Sequence, residues 1–169
     1  MNFLGDMMLN KIKQILKPEI YFTMDVEGEK TLDVRVPTTY FIDFPIVLPK
    51  FCYKTACLHV HISKRELEKS SFEDIKKKLE KRKRNLEARA GKKIKYFRSG
   101  HLIFDEKLIK ATNDLGMEII GTNVRYYTAW LPKKKIVFIV HSYNSKFYIK
   151  LLILYLKLFH PFAEWKVFK

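Results

Sequence analysis

The sequence predicts an α/β protein built on a largely parallel sheet or barrel. Short apolar runs rich in β-branched and aromatic residues, typical of strands, alternate along the chain with helical segments. The chain has 169 residues, enough to bury one sizeable core, and no internal repeat or flexible linker divides it. We therefore expect a single domain over residues 1–169.

The first part of the chain predicts an N-terminal helix and three strands. Residues 1–17 form an amphipathic pattern that stops at Pro18. This segment lacks the uninterrupted apolar core of a signal peptide, so the default location is the cytoplasm. The strand runs are bounded by proline and serine. They cover Glu19–Met24, Val36–Phe44 and Ala56–His61.

A long basic helix is predicted over residues 70–90, where apolar residues recur on one face and Gly91 provides a stop. Two capping-box-like patterns mark its start, Ser70-x-x-Glu73 and Ser71-x-x-Asp74. The formal net charge is +15, and much of the positive charge falls on this helix. Because a solvated lysine-rich helix needs no partner, the charge by itself does not predict nucleic-acid binding.

The remaining elements alternate more regularly. The predicted elements are a strand over 93–97, a helix over 105–115, strands over 117–120 and 136–140, a helix over 145–159, and a last strand over 165–168. The helix over 145–159 is strongly apolar but contains two lysines and is shorter than the roughly 20 residues that span a bilayer. We interpret it as a buried helix, with a membrane-surface or dimer-forming helix as the alternative.

Four short polar islands lie in or at the end of these apolar strands. They are Asp25 with Glu27, His59 with His61, Arg98, and His141. A carboxylate pair, two histidines on one strand face, an arginine and a late histidine are residue types suited to metal-assisted hydrolysis. Because active sites of parallel sheets lie at the C-terminal ends of strands, these positions predict an enzyme.

Each island also has a purely structural interpretation. The histidine pair can be hydrogen-bonded to the backbone, and the carboxylate pair can begin a loop at Gly28. The arginine can be one of many on the surface, and the late histidine can simply end a strand. The two cysteines, Cys52 and Cys57, do not form a disulfide framework and are expected to be reduced and buried. Cys57 shares a strand face with the histidines, but we place it in the core.

In this order the islands resemble the polysaccharide deacetylase family, the NodB-homology domain of carbohydrate esterase family 4. The similarity covers roughly Tyr21 to His141 and is strongest over 92–124, with an arginine loop, a helix ending in Leu-Gly and a strand. TTYFID resembles the family's Ala-Thr-Phe-Phe-Val strand, and LHVHIS resembles its Leu-His-x-His motif. The resemblance implies a reduced, distorted (β/α) barrel.

The resemblance also implies roles for the islands, in the hydrolysis of an N-acetyl group from a free or lipid-linked sugar or glycan. Asp25 corresponds to the catalytic base, Arg98 to the residue that orients it, and His141 to the general acid. A divalent metal, with zinc as the first expectation and cobalt, nickel or iron also suited, is held by histidines and a carboxylate. The implied metal ligands are Glu27, His59 and His61.

The sequence departs from the family's pattern in several places. Val26 separates two carboxylates that are adjacent in the usual first motif, so the choice of metal ligand between Asp25 and Glu27 is open. The segment between Phe44 and Cys57 has no room for a full helix, and Gly-Thr-Asn stands at 121–123 where many relatives have an aspartate followed by serines. One alternative follows from these departures, a catalytically degenerate carbohydrate-binding relative. A second alternative is a basic protein that docks on nucleic acid or anionic membrane through Lys64 to Lys95 and the C-terminal helix.

Overall fold

A computed structural model describes residues 17–26, 34, 36–43, 48–121, 135–142 and 144–168 of the chain. The β-strands in these ranges are β1 (Glu19–Val26), β2 (Thr39–Asp43), β3 (Ala56–Val60), β4 (Tyr96–Ser99), β5 (Glu118–Ile119), β6 (Lys135–His141) and β7 (Glu164–Lys166). The α-helices are α1 (Lys50–Lys54), α2 (Lys64–Lys69), α3 (Phe72–Ala90), α4 (Glu106–Asp114) and α5 (Lys146–Phe159). The N-terminal helix predicted over 1–17 lies outside the described residues, apart from its last position.

All seven strands belong to one parallel sheet. The order is β5-β4-β3-β2-β1-β6, and β7 also pairs with β1. One edge of β1 pairs with β6, while the other edge is shared by β7 over Glu19–Tyr21 and by β2 over Thr23–Val26. Parallel strands joined by helical crossovers form a half-barrel, which confirms the predicted α/β fold of the distorted (β/α) barrel type.

The two faces of β1 separate the main core from the interior of the half-barrel. Side chains alternate along a strand, and the even-numbered apolar residues of β1 are fully buried in the core with α3 and α5. Odd-numbered positions face the interior, where a second cluster forms around Phe41, Cys57 and Phe168. Each large side chain buried in this way contributes about 1.5–3 kcal/mol. Apolar burial on both faces of the sheet therefore makes β1 the centre of the fold.

Phe168 closes the N-terminal end of the half-barrel. Its ring stacks on Tyr21 at 4.4 Å between centroids and also contacts Phe41 and Tyr96. Its backbone N–H donates to Thr39 Oγ1 at 3.0 Å. With aromatic side chains filling this end, the opposite end, where the strands finish, holds the polar residues.

Several helix boundaries differ from the predictions. Residues 64–69 form a separate helix, α2, which is capped by Ser63 and followed by an extended Ser70. The capping box at the start of α3 is therefore the one of Ser71 and Asp74, whose two reciprocal hydrogen bonds are both present. In the described part of the link before β3, residues 48–55, the helix is the five-residue α1, consistent with the absence of room for a full helix.

Local capping explains where the last two helices begin. Asp105 accepts backbone N–H bonds from the first turn of α4, and Ser145 does the same for α5. In the described ranges, no helix is both long and apolar enough to cross a membrane.

Candidate active site

The register of the parallel strands brings the polar islands together. Asp25 on β1 is paired with His141 on β6, and His59 on β3 is paired with Arg98 on β4. On its other side His59 is paired with Asp43, the last residue of β2. Because residues in register on neighbouring parallel strands point to the same face, these five side chains share the interior of the half-barrel at its C-terminal end.

Arg98 is fully buried and forms the centre of the cluster. Its Nη1 donates to Asp25 Oδ1 at 2.5 Å and to Thr23 Oγ1 at 2.9 Å, and its Nε donates to the Ile120 carbonyl at 3.2 Å. The guanidinium also lies 3.8 Å over the Phe41 ring. These contacts exclude the interpretation of Arg98 as a surface arginine. They hold the Asp25 carboxylate in one orientation by a charge-assisted bond.

His59 and His61 approach each other through their Nε2 atoms, which are 3.1 Å apart. His59 Nδ1 lies 3.0 Å from the Arg98 carbonyl. A carbonyl can only accept, so Nδ1 carries the hydrogen and the lone pair of His59 is on Nε2. Burial lowers the pKa of His59, which favours this neutral form. Its Nε2 is therefore a ready ligand, beside that of His61.

The histidine pair fits a divalent metal. Two imidazole nitrogens on one tetrahedral zinc, each at about 2.0–2.1 Å, would be about 3.3 Å apart, close to the observed 3.1 Å. The backbone bond on His59 Nδ1 is the kind of outer contact that orients a metal-binding histidine. Across the described ranges, however, no three His, Cys, Asp or Glu side chains are arranged to hold a metal ion. The third predicted ligand, Glu27, lies outside the described residues.

Asp43 is a carboxylate that the sequence analysis did not select. Its Oδ1 is buried and has no hydrogen-bond partner in the part of the chain that the structure describes, while the Arg82 guanidinium is 4.0 Å away. Burial raises the pKa of this carboxyl, and Arg82 and the two histidines act in the opposite direction. Asp43 ends an apolar strand just as the four islands do, and that pattern was the available signal. It is a second carboxylate next to the histidines.

His141 and Cys57 also belong to the interior of the half-barrel. His141 ends β6, and its backbone N–H donates to Asn144 Oδ1 at 2.8 Å, while the next backbone N–H, of Ser142, donates to the Asp25 carbonyl at 2.9 Å. The first bond closes the turn after β6, and the second ties the end of β6 to Asp25. Burial raises the pKa of the Cys57 thiol to about 12, so Cys57 stays protonated in the aromatic cluster, as the sequence analysis expected.

The loop after Arg98 is built around His61. His101 adopts a left-handed conformation, with φ 57°, and its ring packs edge-on against His61 at 5.3 Å between centroids. A Cβ atom added at Gly100 would lie only 2.7 Å from His61 Cγ. Glycine at position 100 therefore allows the His61 ring to stand next to His59.

We expect Gly100→Ala to weaken metal binding by about 10-fold or more, because the new methyl group displaces the His61 ring. Titration with Zn²⁺ or Co²⁺, followed by calorimetry or by Co²⁺ absorption, measures the affinity. Gly121→Ala is the matched control, since among the described residues its Cβ would meet the edge of Phe104, at 3.3 Å. Equal affinities for the Gly100→Ala variant and the unmodified protein would contradict a metal role for His61 in this position.

The fold has close counterparts among solved structures. The carbohydrate esterase (CE4) domain of a multidomain xylanase from the hindgut metagenome of Trinervitermes trinervoides matches with a TM-score of 0.65 and 13% identity, over 89% of this chain and 87% of that chain. A family 4 carbohydrate esterase from Streptomyces lividans, in complex with acetate, matches with a TM-score of 0.63 and 8% identity, over 90% and 93%. Neither a protein-family model nor a curated protein matches the sequence.

A CE4 family pseudoenzyme from Bacillus anthracis is also similar, with a TM-score of 0.64 and 16% identity over 88% of this chain. The present chain spans 64% of the length of that protein. The chain therefore has the fold of the family 4 carbohydrate esterases, and the resemblance seen in the sequence is confirmed at the level of the fold.

Proposed function

We propose that this chain is a metal-dependent hydrolase that removes an acetyl group from an N-acetylated carbohydrate. The observation that supports the proposal most is the buried Asp25–Arg98 pair next to two histidine nitrogens 3.1 Å apart. These groups lie at the C-terminal end of a half-barrel whose counterparts include carbohydrate esterases. A positioned carboxylate and a pair of convergent metal ligands are the two requirements of metal-assisted hydrolysis.

In this proposal His59 and His61 hold the metal together with one carboxylate, that of Glu27. When bound, a divalent metal polarises an acyl oxygen and lowers the pKa of a water molecule. Asp25 takes a proton from the attacking water at Oδ2, since Oδ1 is bonded to Arg98. Asp25 is 4% exposed, so little water screens its ion pair with Arg98.

His141 is proposed to protonate the departing amine. It is the register partner of Asp25 in the β1–β6 pair, so a base and an acid would lie side by side at the same end of the half-barrel. The bond from the His141 backbone N–H to Asn144 Oδ1 fixes the strand end that carries the imidazole.

The test begins with elemental analysis of the purified full chain. We expect about one transition metal per chain and acetate release from N-acetylglucosamine oligomers. Both should be lost in the His59→Ala, His61→Ala double variant, because the convergent nitrogens are removed. A His160→Ala variant, which alters a histidine at the end of α5, is the control and should keep its metal. Absence of metal after reconstitution with zinc and with cobalt would refute the proposal.

The second candidate is a degenerate relative that binds a carbohydrate without hydrolysing it. One observation favours it: a structural counterpart is a pseudoenzyme. Calorimetry with N-acetylglucosamine oligomers, next to the acetate assay, separates the two candidates. Binding by a metal-loaded protein that never releases acetate would favour the degenerate relative.

A further inference from the structure

Helix α5 is apolar on both of its sides. Ile149, Leu152, Ile153 and Leu156 are buried against the sheet. On the opposite side a stripe of apolar side chains is open to solvent, and Phe162 follows just after the helix. The exposed fractions are 77% for Phe147, 53% for Leu151, 53% for Leu154, 69% for Leu158 and 64% for Phe162. A surface helix normally carries polar residues on this side.

The geometry of the helix aligns the stripe and places lysines beside it. At about 100° per residue, positions 147, 151, 154 and 158 fall within roughly 60° of one another. Lys146, Lys150 and Lys157 fall along one flank of the stripe, on the same rotation. We call these apolar and basic residues together the α5 face. Lysines at such a flank can lay their carbon chains along an apolar surface while the ammonium groups reach past it.

The α5 face and the segment of sequence before it carry charge of a single sign. Between Ile119 and Ala163 the sequence has no Asp or Glu, whereas Lys and Arg occur seven times, and the whole chain has a formal charge of +15. A partner that covers the α5 face must therefore offer an apolar layer bordered by negative charge. The headgroup boundary of an anionic bilayer has both properties.

We propose that the α5 face docks this protein on the surface of anionic lipid bilayers. The stripe inserts into the boundary between headgroups and acyl chains, and the lysines contact lipid phosphates or carboxylates. A second copy of the chain packed antiparallel suits the face less well, because the two like-charged lysine rows would come together. Nucleic acid would pair with the lysines but leave the apolar stripe uncovered. The inference does not depend on the proposed hydrolase activity.

Co-sedimentation of the full chain with vesicles tests the proposal. We expect binding to vesicles of phosphatidylcholine mixed with phosphatidylserine, and much weaker binding to phosphatidylcholine alone. The double variant Leu151→Glu, Leu158→Glu should abolish binding, because two carboxylates replace apolar side chains of the stripe. Both leucines are exposed to solvent, so the fold should stay intact. The double variant Lys150→Ala, Lys157→Ala should weaken vesicle binding by about 30-fold, because each lysine near an anionic membrane surface contributes roughly five-fold. Melting curves confirm that the variants are folded.

Lys77→Ala with Lys81→Ala is the matched control. It removes the same charge from exposed positions of α3, and binding should change little. An equal loss in this control would mean diffuse attraction between a basic protein and anions, and would overturn the proposal. So would a lack of binding to either vesicle, or a dimer in analytical ultracentrifugation that Leu151→Glu dissociates. Because acetate release from soluble oligomers is measured separately, failure here leaves the proposed function untouched.

Discussion

Arg98→Met should destabilise the fold by about 3–5 kcal/mol, the cost of breaking a buried ion pair on one side. Arg98 is fully buried, and its Nη1 lies 2.5 Å from Asp25 Oδ1. Without the guanidinium, the Asp25 carboxylate loses its cation inside the half-barrel, and Thr23 Oγ1 and the Ile120 carbonyl lose a donor. Urea unfolding followed by circular dichroism measures the change in the free energy of unfolding.

A second variant shows whether the loss comes from the unpaired charge. Arg98→Met combined with Asp25→Leu should recover much of the stability, because a buried pair replaced by apolar side chains is often neutral in its effect. Lys76→Met is the control, because it breaks an ion pair at the surface, in which Lys76 Nζ lies 2.8 Å from Asp114 Oδ2. This change should alter the free energy of unfolding little. Similar small effects for Arg98→Met and Lys76→Met would mean that water reaches the pair.

Asp25→Asn should lower kcat for acetate release by about 10²–10⁴-fold, the usual contribution of a general base. The amide cannot take a proton from water, whereas its oxygen can still accept the bond from Arg98. The loss of stability should therefore be smaller than for Arg98→Met. Acetate release under saturating substrate gives kcat, and elemental analysis of the same sample gives the metal content.

The metal content of the Asp25→Asn variant also decides between the two carboxylates of the first island. Retained metal with lost turnover agrees with Asp25 as the base and leaves metal binding to Glu27. Loss of metal would make Asp25 the ligand and would exchange the proposed roles. Unchanged turnover would remove Asp25 from the mechanism altogether.

Apolar strands and clearly capped helices were sufficient to predict the α/β class, whereas the distorted barrel was predicted from the resemblance to the polysaccharide deacetylase family. Strand boundaries were less accurate. β4 begins at Tyr96 instead of Lys93, because the Ile94 backbone N–H donates to the side chain of Glu87 on α3. β4 also ends later than predicted, at Ser99, so Arg98 lies inside the strand and not after it. A bond between a helix side chain and a distant backbone group has no local signature in the sequence.

Part of the site depends on long-range register and could not be predicted. Asp43 ends an apolar strand, as the other candidate residues do, but only its pairing with His59 on the neighbouring strand places it in the site. Gly100 looks like an ordinary loop glycine until the His61 ring is placed beside it. The pairing of β7 with β1 likewise joins two segments with no shared sequence pattern.

The position of β1 at the centre of the sheet has a consequence for protein synthesis. Thr23 bonds to Phe138, 115 residues later, and Glu19 bonds to Lys166, 147 residues later. While the ribosome is still making the rest of the chain, the first strand has neither of these neighbours. Proteins rich in such distant contacts fold slowly and expose unpaired strands meanwhile. We expect the nascent chain to depend on chaperones until residues 164–168 have emerged from the ribosome.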